Sequence, residues 1–213
     1  MPFENRTDAG RKLALALARY RKERPIVLAL PRGGVPVAAP IATALAGPLD
    51  VILVRKIGVP FQRELAMGAV VDGATPTVVR NEDVIHASGT TEEQFTEACR
   101  RELAEIERRR LLYLGGRTPA DVTERTVIVV DDGLATGATV RAALRALRAR
   151  KANKLVMAVP VAPADLLADF AAEADAVVCL EQHGVFSAVG SYYADFRQVD
   201  DQEVIATLAG FAR

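Results

Sequence analysis

Residues 127–139 of the chain read VIVVDDGLATGAT, the stretch that decides the predicted fold. The first four, Val127–Val130, are apolar and β-branched, as in a strand buried at the centre of a parallel sheet. Two carboxylates, Asp131 and Asp132, follow this strand directly, and a small, polar segment then leads into a predicted helix over about 137–150. A buried strand, a short loop and a helix in this order indicate one unit of an α/β fold.

The rest of the chain repeats this alternation of short apolar runs and helical segments. Thr7 or Asp8 is expected to cap a first helix, and a capping box at Thr91 opens a long charged helix that ends at Gly115. Further strands are predicted at 25–30, 50–54, 155–159 and 176–180, and further helices at about 34–46 and 164–174. The alternation predicts a single domain over 1–213 with a mainly parallel sheet flanked by helices.

Residues 57–90 break the alternation. Two short extended runs, near 65–71 and 77–79, lie on either side of the turn residues Asp72 and Gly73. This spacing favours an antiparallel excursion or a mobile flap over another βαβ unit.

Composition bounds the class of protein. The chain has 213 residues, 50% of them hydrophobic and 25% charged, which is typical of a globular domain. Its formal net charge is zero, so no global attraction to nucleic acid or to an anionic membrane is expected. No apolar run reaches the ~18 residues that span a bilayer, and the charged first segment does not have the pattern of a secretory signal. We therefore expect a cytoplasmic protein.

Cysteine and histidine are too few to build a metal centre of their own. Cys99 and Cys179 lie in separate apolar-patterned segments and are predicted to be buried free thiols, as suits a reducing compartment. His86 and His183 are isolated in the sequence, so no Cys/His metal cluster is predicted.

The segment after the central strand combines two kinds of ligand group. Carboxylates accept hydrogen bonds from ribose hydroxyls and bind Mg²⁺, while the N–H groups at a helix start bind phosphate. Thr136 and Thr139 add hydroxyl donors, and Gly137 and Ala138 allow close approach. Because adjacent acids repel each other, ribose hydroxyls and a bound Mg²⁺ are expected to compensate the pair. Together these features indicate a sugar-phosphate site.

Simpler structural roles and other phosphate-binding motifs fit this segment less well. Either half alone fits a plain helix cap or a chain turn, but both halves in register after one strand favour a ligand site. The spacing from Gly133 to Gly137 does not match a Walker A loop, and no GxGxxG fingerprint follows the first strand.

Three motifs together resemble the type I phosphoribosyltransferase family. Val127–Thr139 resembles its signature for phosphoribosyl diphosphate (PRPP), and Pro31-Arg32-Gly33-Gly34 resembles its diphosphate loop, where a strained, often cis, peptide presents N–H groups. Arg55-Lys56-x-Gly58 resembles the basic pair before its flexible loop. Residues 55–71 and 191–199 further resemble a bacterial subgroup of predicted phosphoribosyltransferases.

This resemblance implies a fold and a reaction. The fold would be Rossmann-like, with a mainly parallel sheet flanked by helices, a flap at about 57–90 and a small C-terminal hood at about 181–213. The reaction would be Mg²⁺-dependent transfer of the 5-phosphoribosyl group from PRPP to a small-molecule acceptor, a nitrogen nucleophile, with release of diphosphate. Relatives are commonly dimers, so a homodimer is expected by analogy.

The resemblance also implies a role for each matching residue. Catalytic roles fall to Asp131, Asp132, Arg55 and Lys56, with Asp131 and Asp132 also meeting the metal directly or through ribose and water. PRPP would be bound by Arg32, Gly33, Gly34, Ala135, Thr136, Gly137, Ala138 and Thr139. Arg63 and Glu64 are candidates for the flap, although a surface ion pair explains them equally well.

The acceptor is less well defined by the sequence. In 6-oxopurine enzymes of the family the position two after Gly133 usually carries an acid; here it is Ala135, which disfavours hypoxanthine and guanine. Gly133 itself replaces a usual apolar residue, which suggests a looser loop. Candidate hood segments are Val161–Pro163 and Gln182–Tyr193, whose Phe186, Tyr192 and Tyr193 would either stack on a base or fill a satellite core.

Two further functions stay open at the sequence level. The first is a non-catalytic regulatory protein that senses PRPP or a nucleotide, and the second is a hydrolase that uses water as the acceptor. The basic pair Arg55-Lys56 and the long flap favour an enzyme, since a sensor needs neither leaving-group chemistry nor exclusion of water.

Overall fold

A computed structural model describes residues 2–73 and 75–211 of the chain, the side chain of Arg63 excepted. Fifteen helices and strands make up its framework. In chain order they are α1 (Arg6–Ala16), β1 (Ile26–Ala29), α2 (Gly34–Leu45), β2 (Leu49–Val51), β3 (Val54–Val59), β4 (Gln62–Val71), β5 (Thr77–Arg80), α3 (Glu82–Ser88), α4 (Glu92–Leu114), β6 (Thr126–Val130), α5 (Ala138–Ala149), β7 (Lys154–Pro163), α6 (Ala164–Phe170), β8 (Ala176–His183) and α7 (Asp201–Ala209). Short 3₁₀ turns lie at Ala18–Glu23 and Val189–Tyr192.

Five of the strands form one parallel sheet in the order β2-β1-β6-β7-β8. Side chains alternate across it, as period two requires. Val27 and Ile128 face a core shared with α1, α2, α4 and α7, whereas Leu28 and Val129 face a core shared with α5 and α6. The predicted parallel sheet flanked by helices is confirmed.

The remaining three strands form an antiparallel sheet in the order β3-β4-β5. It packs between α4 and α5 and contacts both helices. The predicted antiparallel excursion is confirmed in type, but it begins earlier than residue 57, at Val54.

The prediction that a strand runs over 50–54 and ends at Arg55-Lys56 is wrong. Strand β2 stops at Val51, after which the Ile52 N–H donates to Ala29 O at 3.0 Å and the Leu53 N–H donates to the Asp72 carboxylate at 3.0 Å. The first bond is the last one to the parallel sheet, and the second ties the chain to the end of β4 instead. A continuous apolar run does not mark where a strand leaves its sheet, because both environments favour the same side chains.

Helix starts and strand ends show a similar mixture. The first helix is capped by Asn5, whose side chain accepts from Asp8 N–H at 2.9 Å, and not by Thr7 or Asp8 as predicted. The capping box of Thr91 and the end at Gly115 are confirmed for α4. Strands β7 and β8 continue beyond their predicted ends, pairing as far as Pro163 and His183, so the two predicted hood segments begin within strands.

The hood region packs on the beginning of the chain. The Phe3 N–H donates to Tyr192 O at 2.8 Å, and the buried rings of Phe3 and Tyr193 lie 5.4 Å apart. With Ala9 and Val161 they form a small satellite core. The N-terminal segment and the tail therefore meet at the carboxyl edge of the sheet.

Both cysteines are free thiols, as the sequence predicts; Cys99 is buried as expected, whereas Cys179 is only half-buried. Across residues 2–73 and 75–211, no helix is both long and apolar enough to cross a bilayer.

Candidate active site

The crevice of interest lies between the carboxyl ends of β1 and β6. From β1 the chain proceeds outward to β2, whereas from β6 it proceeds in the opposite direction to β7 and β8. Such a reversal of strand order leaves a gap between two loops, which is where open α/β sheets bind ligands. The two strands are joined up to this point, since the Leu30 N–H donates to Val130 O at 2.9 Å.

The loop after β1 is pressed against the carboxylate pair. A Cβ placed on Gly33 would lie 2.0 Å from Asp132 Oδ2, and one on Gly34 would lie 2.6 Å from Val130 O. Gly33 has ordinary helical torsions, φ −58° and ψ −35°, so the residue is needed for space and not for an unusual backbone conformation. The Pro31–Arg32 peptide bond is cis, as the family resemblance implies.

The loop after β6 ends in an open helix N-terminus. Gly137 is the N-cap of α5 at φ 69°, a left-handed conformation that favours glycine. Among the described residues, no side chain caps α5 and no acid occupies its first turn. Ala135, Thr136 and Ala138 are exposed and Thr139 is half-buried, so the helix start is open to solvent. The positive end of the helix dipole can accept a phosphate here.

The two carboxylates have different surroundings. Asp131 accepts the Asp132 N–H at Oδ1 over 2.9 Å, and burial, reinforced by the charge of Asp132, raises the pKa of Asp131 well above its usual value. Asp132 instead forms an ion pair, because Arg6 Nε lies 2.8 Å from its Oδ2. The Tyr193 hydroxyl donates to the backbone oxygen of Asp132 at 2.6 Å.

Arg6 is the functional-site residue that the sequence did not reveal. It lies 126 residues from Asp132, in a segment that shows only a helix start, and no spacing rule links the two positions. Ribose hydroxyls and Mg²⁺ are expected above to compensate the acidic pair; in the structure Arg6 supplies a positive charge from the chain itself.

Because side chains alternate along β3, the two residues of the basic pair have different neighbours. Arg55 faces α4, where its Nε lies 2.8 Å from Glu102 Oε2. Lys56 is exposed and also borders the surface near Ala138 at the start of α5. Both line a cavity of about 580 Å³. The cavity is further lined by Gly58, Glu64 and Thr139.

The other predicted residues are spread over this edge of the molecule. The Arg32 side chain points toward α7, where its Nη1 lies 3.7 Å from Asp201 Oδ1, and not toward the acidic pair. Glu64 is exposed in β4 and reaches the cavity, and the side chain of Arg63 lies outside the described residues.

The hood aromatics all lie in or against the satellite core, but they differ in burial. Tyr193 is buried against Phe3 and belongs to the satellite core, the second of the two interpretations given for these rings. Tyr192 and Phe186 are half-buried, and their rings stack with centroids 5.1 Å apart. Tyr192 also faces His183 at 4.3 Å.

Gly133 is tightly enclosed, contrary to the expectation of a looser loop. A Cβ on it would lie 2.5 Å from Val189 Cγ1 and 3.0 Å from Val161 Cγ1. The small residue makes room for the hood, which a single sequence cannot show because the filling side chain is far along the chain.

Fold and site together define an α/β domain that has an acidic pair and an uncapped helix start at one switch point. The family described as "Phosphoribosyl transferase domain" matches residues 3–196, and the chain belongs to this family.

Individual relatives agree with this assignment. The Mycobacterium tuberculosis H37Rv protein named "Putative phosphoribosyl transferase Rv0571c" is 47% identical over 206 residues, covering 97% of this chain and 46% of that protein. Its counterpart in strain CDC 1551 matches to the same extent. The chain thus spans about half the length of these curated relatives. The crystal structure of TT1426 from Thermus thermophilus superposes with a TM-score of 0.87 at 39% identity, covering 100% of both chains.

Proposed function

We propose that this chain transfers the 5-phosphoribosyl group of PRPP to a ring nitrogen of a small-molecule acceptor and releases diphosphate in a Mg²⁺-dependent reaction. The observation that carries the proposal is the junction of β6 and α5. There one short loop joins the acidic pair Asp131-Asp132 to the uncapped start of a helix. A single ligand that has vicinal hydroxyls and a phosphate matches both halves.

Each half has a separate task in the reaction. The start of α5, with the hydroxyls of Thr136 and Thr139, anchors the 5′-phosphate as a remote handle that orients C1. Asp131 and Asp132 accept the ribose hydroxyls and lie where an oxocarbenium-like sugar develops positive charge. Fixed carboxylates at that place stabilise the transition state without reorganisation.

The leaving diphosphate is assigned to the opposite wall of the crevice. The Gly33 backbone lies close against the Asp132 carboxylate, and Lys56 borders the cavity that reaches Thr139. We place Lys56 on the departing diphosphate and give Arg55, which is held by Glu102, a supporting place beside it. Donors of this kind contribute about 3–4 kcal/mol each when they are aimed at developing charge.

Magnesium fits this site only together with the substrate. Within the part of the chain that the structure describes, no three His, Cys, Asp or Glu side chains come together as a metal site. Asp132 Oδ2 is already paired with Arg6. Mg²⁺ commonly takes one or two carboxylates and completes its shell with water and substrate phosphates. Asp131 and Asp132 would hold it in that way, directly or through ribose and water, and the ion would neutralise charge on the diphosphate.

The antiparallel sheet β3-β4-β5 is proposed as the flap. Its β3–β4 turn carries Phe61, which is 93% exposed, and Glu64 follows in β4 on the cavity. Closure of this turn over the crevice would exclude water from the oxocarbenium-like centre. A cytoplasmic location, consistent with the free thiols, and a homodimer, by analogy with relatives, complete the proposal.

One experiment separates the proposed function from its alternatives. Purified protein is given Mg²⁺ and PRPP with purine, pyrimidine and non-nucleobase acceptors in turn, and diphosphate release is followed. Release that depends on an acceptor supports the transferase, and release without an acceptor supports a hydrolase. Tight PRPP binding without release supports a sensor, and absence of PRPP binding overturns all three. Because Ala135 stands in place of the usual acid, hypoxanthine and guanine should be poor acceptors.

A further inference from the structure

Arg6 is the first residue of α1, and its side chain is enclosed at the crevice. The side chain is only 10% exposed, and that of Asp132 is 16% exposed. Asn5 fixes the helix start by accepting the Asp8 N–H, which sets the direction in which Arg6 leaves the backbone. Burying a charged arginine this deeply costs free energy unless its N–H donors are paired.

The guanidinium of Arg6 is held on three sides. Its Nε lies 2.8 Å from Asp132 Oδ2, its Nη1 donates to the backbone oxygen of Arg197 at 2.8 Å, and its Cζ lies 3.8 Å from the ring centroid of Phe196. One edge thus faces the acid, another faces the tail, and the flat face lies on an aromatic ring. These contacts fix both the position and the orientation of the guanidinium.

Asp132 is in turn held at both ends by the same part of the molecule. Arg6 binds its carboxylate, while Tyr193 donates to its backbone oxygen at 2.6 Å. With Oδ2 paired to Arg6 and the whole carboxylate group packed against Gly33, the orientation of the carboxylate is set.

From these contacts we infer that Arg6 is a positioning residue of the ribose site, which orients the Asp132 carboxylate toward a sugar hydroxyl and keeps it compensated beside Asp131. The inference rests on the proposed function, since it concerns the same site. Arg6 acts through Asp132 and does not touch the sugar, so its removal should impair recognition of the ribose hydroxyls and spare the phosphate anchor at α5.

The test compares sugar phosphates that differ by one hydroxyl. Binding of ribose 5-phosphate and of its 2-deoxy and 3-deoxy analogues is measured by NMR titration, and binding of Mg²⁺-PRPP by calorimetry, for the native chain, Arg6→Gln and Arg6→Lys. The native chain should prefer ribose 5-phosphate over the analogue that lacks the hydroxyl held by Asp132. Arg6→Gln should weaken ribose 5-phosphate and PRPP about tenfold, within the range expected for coupled contacts, and should abolish that preference while leaving the analogue nearly unchanged.

Two further variants keep the test specific. Arg6→Lys should recover part of the preference, because it retains the charge but cannot bond Asp132 and the Arg197 carbonyl at once. Lys12→Gln removes a neighbouring cation on α1, which pairs with Asp8 at 2.8 Å, and should leave binding as in the native chain. Thermal unfolding of every variant confirms that the folded protein is titrated.

The outcomes are distinguishable from failure of the proposed function. If Arg6→Gln weakens all sugar phosphates equally, or retains the native preference, the inference is overturned while PRPP binding by the native chain still stands. If the native chain binds neither PRPP nor any sugar phosphate, the proposed function fails first and the inference with it.

Discussion

At the scale of single residues, the geometry of the site depends on a glycine, Gly33. Gly33 leaves room for the Asp132 carboxylate, and a Cβ there would lie 2.0 Å from Oδ2. Gly33→Ala should displace that carboxylate and weaken Mg²⁺-PRPP binding at least about tenfold, roughly 1.4 kcal/mol. Calorimetric titration measures the change. Gly184→Ala is the matched control, since a Cβ at Gly184 meets nothing within 4 Å; equal losses in both variants would contradict the role of Gly33.

A second residue predicts how stability depends on pH. Burial raises the pKa of Asp72 to about 6, although the carboxylate accepts the Leu53 N–H and Arg150 lies near it. Between the unfolded pKa of roughly 4 and this folded value, the folded state keeps a proton that the unfolded state has released. The free energy of unfolding should therefore fall as pH rises from about 4 to 6, by at most about 3 kcal/mol from this group.

Asp72→Asn isolates this contribution, because asparagine keeps an oxygen that accepts the Leu53 N–H. The native-minus-variant free energy, obtained by chemical denaturation at several pH values, should decline across that window. Asp175→Asn provides a control of opposite sign: burial alone would raise the pKa of Asp175, but the Leu155 N–H and Arg148 lower it overall. A flat difference curve for Asp72→Asn would refute the prediction.

At the scale of elements, the alternation of side chains along β3 gives Arg55 and Lys56 different neighbours. Both side chains line the cavity that reaches Thr139, but Lys56 also borders the start of α5 near Ala138, whereas Arg55 is paired with Glu102 at 2.8 Å. Lys56→Ala should weaken PRPP binding by about 1.5–3 kcal/mol, the range for hydrogen bonds to charged groups. Arg55→Ala should cost less than about 1 kcal/mol of stability, since its ion pair is partly exposed, and about twofold in affinity. Titrations that rank Arg55→Ala as the more damaging change would reverse the assignment.

Elements are also where sequence reasoning succeeds most fully and where its limit shows. The strand, acidic pair and helix over Val127–Ala149 were predictable, because buried strands and helix starts have local signals. The end of β2 was not, because its run of apolar residues continues unchanged into β3 across a turn set by Asp72. The site residues within Val127–Thr139 could be located from the sequence because they belong to one local motif. Arg6 and the space around Gly133 could not, because they depend on contacts between segments far apart in the chain.

At the scale of the whole molecule, both ends of the described chain converge on Asp132. Arg6 binds its carboxylate and Tyr193 donates to its backbone oxygen, while Phe3 packs on Tyr193 and Phe196 lies under the Arg6 guanidinium, so the two segments support the carboxylate together. The rings of Tyr193 and Phe196 lie 5.0 Å apart, which connects the satellite core to the cation. A movement of the tail would therefore displace the Asp132 carboxylate as well.

Removing one hydroxyl tests this connection. Tyr193→Phe keeps the ring against Phe3 and loses only the 2.6 Å hydrogen bond to Asp132 O. Leaving that partly buried oxygen without its donor should cost about 1 kcal/mol of stability, seen as a lower melting temperature, and should weaken PRPP binding several-fold because the carboxylate is less well held. Tyr192→Phe removes a hydroxyl that reaches Val185 O at 3.3 Å in a more exposed place, so its effect on both measurements should be small. If the two variants behave alike, or if Tyr193→Phe loses stability but retains native PRPP affinity, the tail supports the fold without positioning the site.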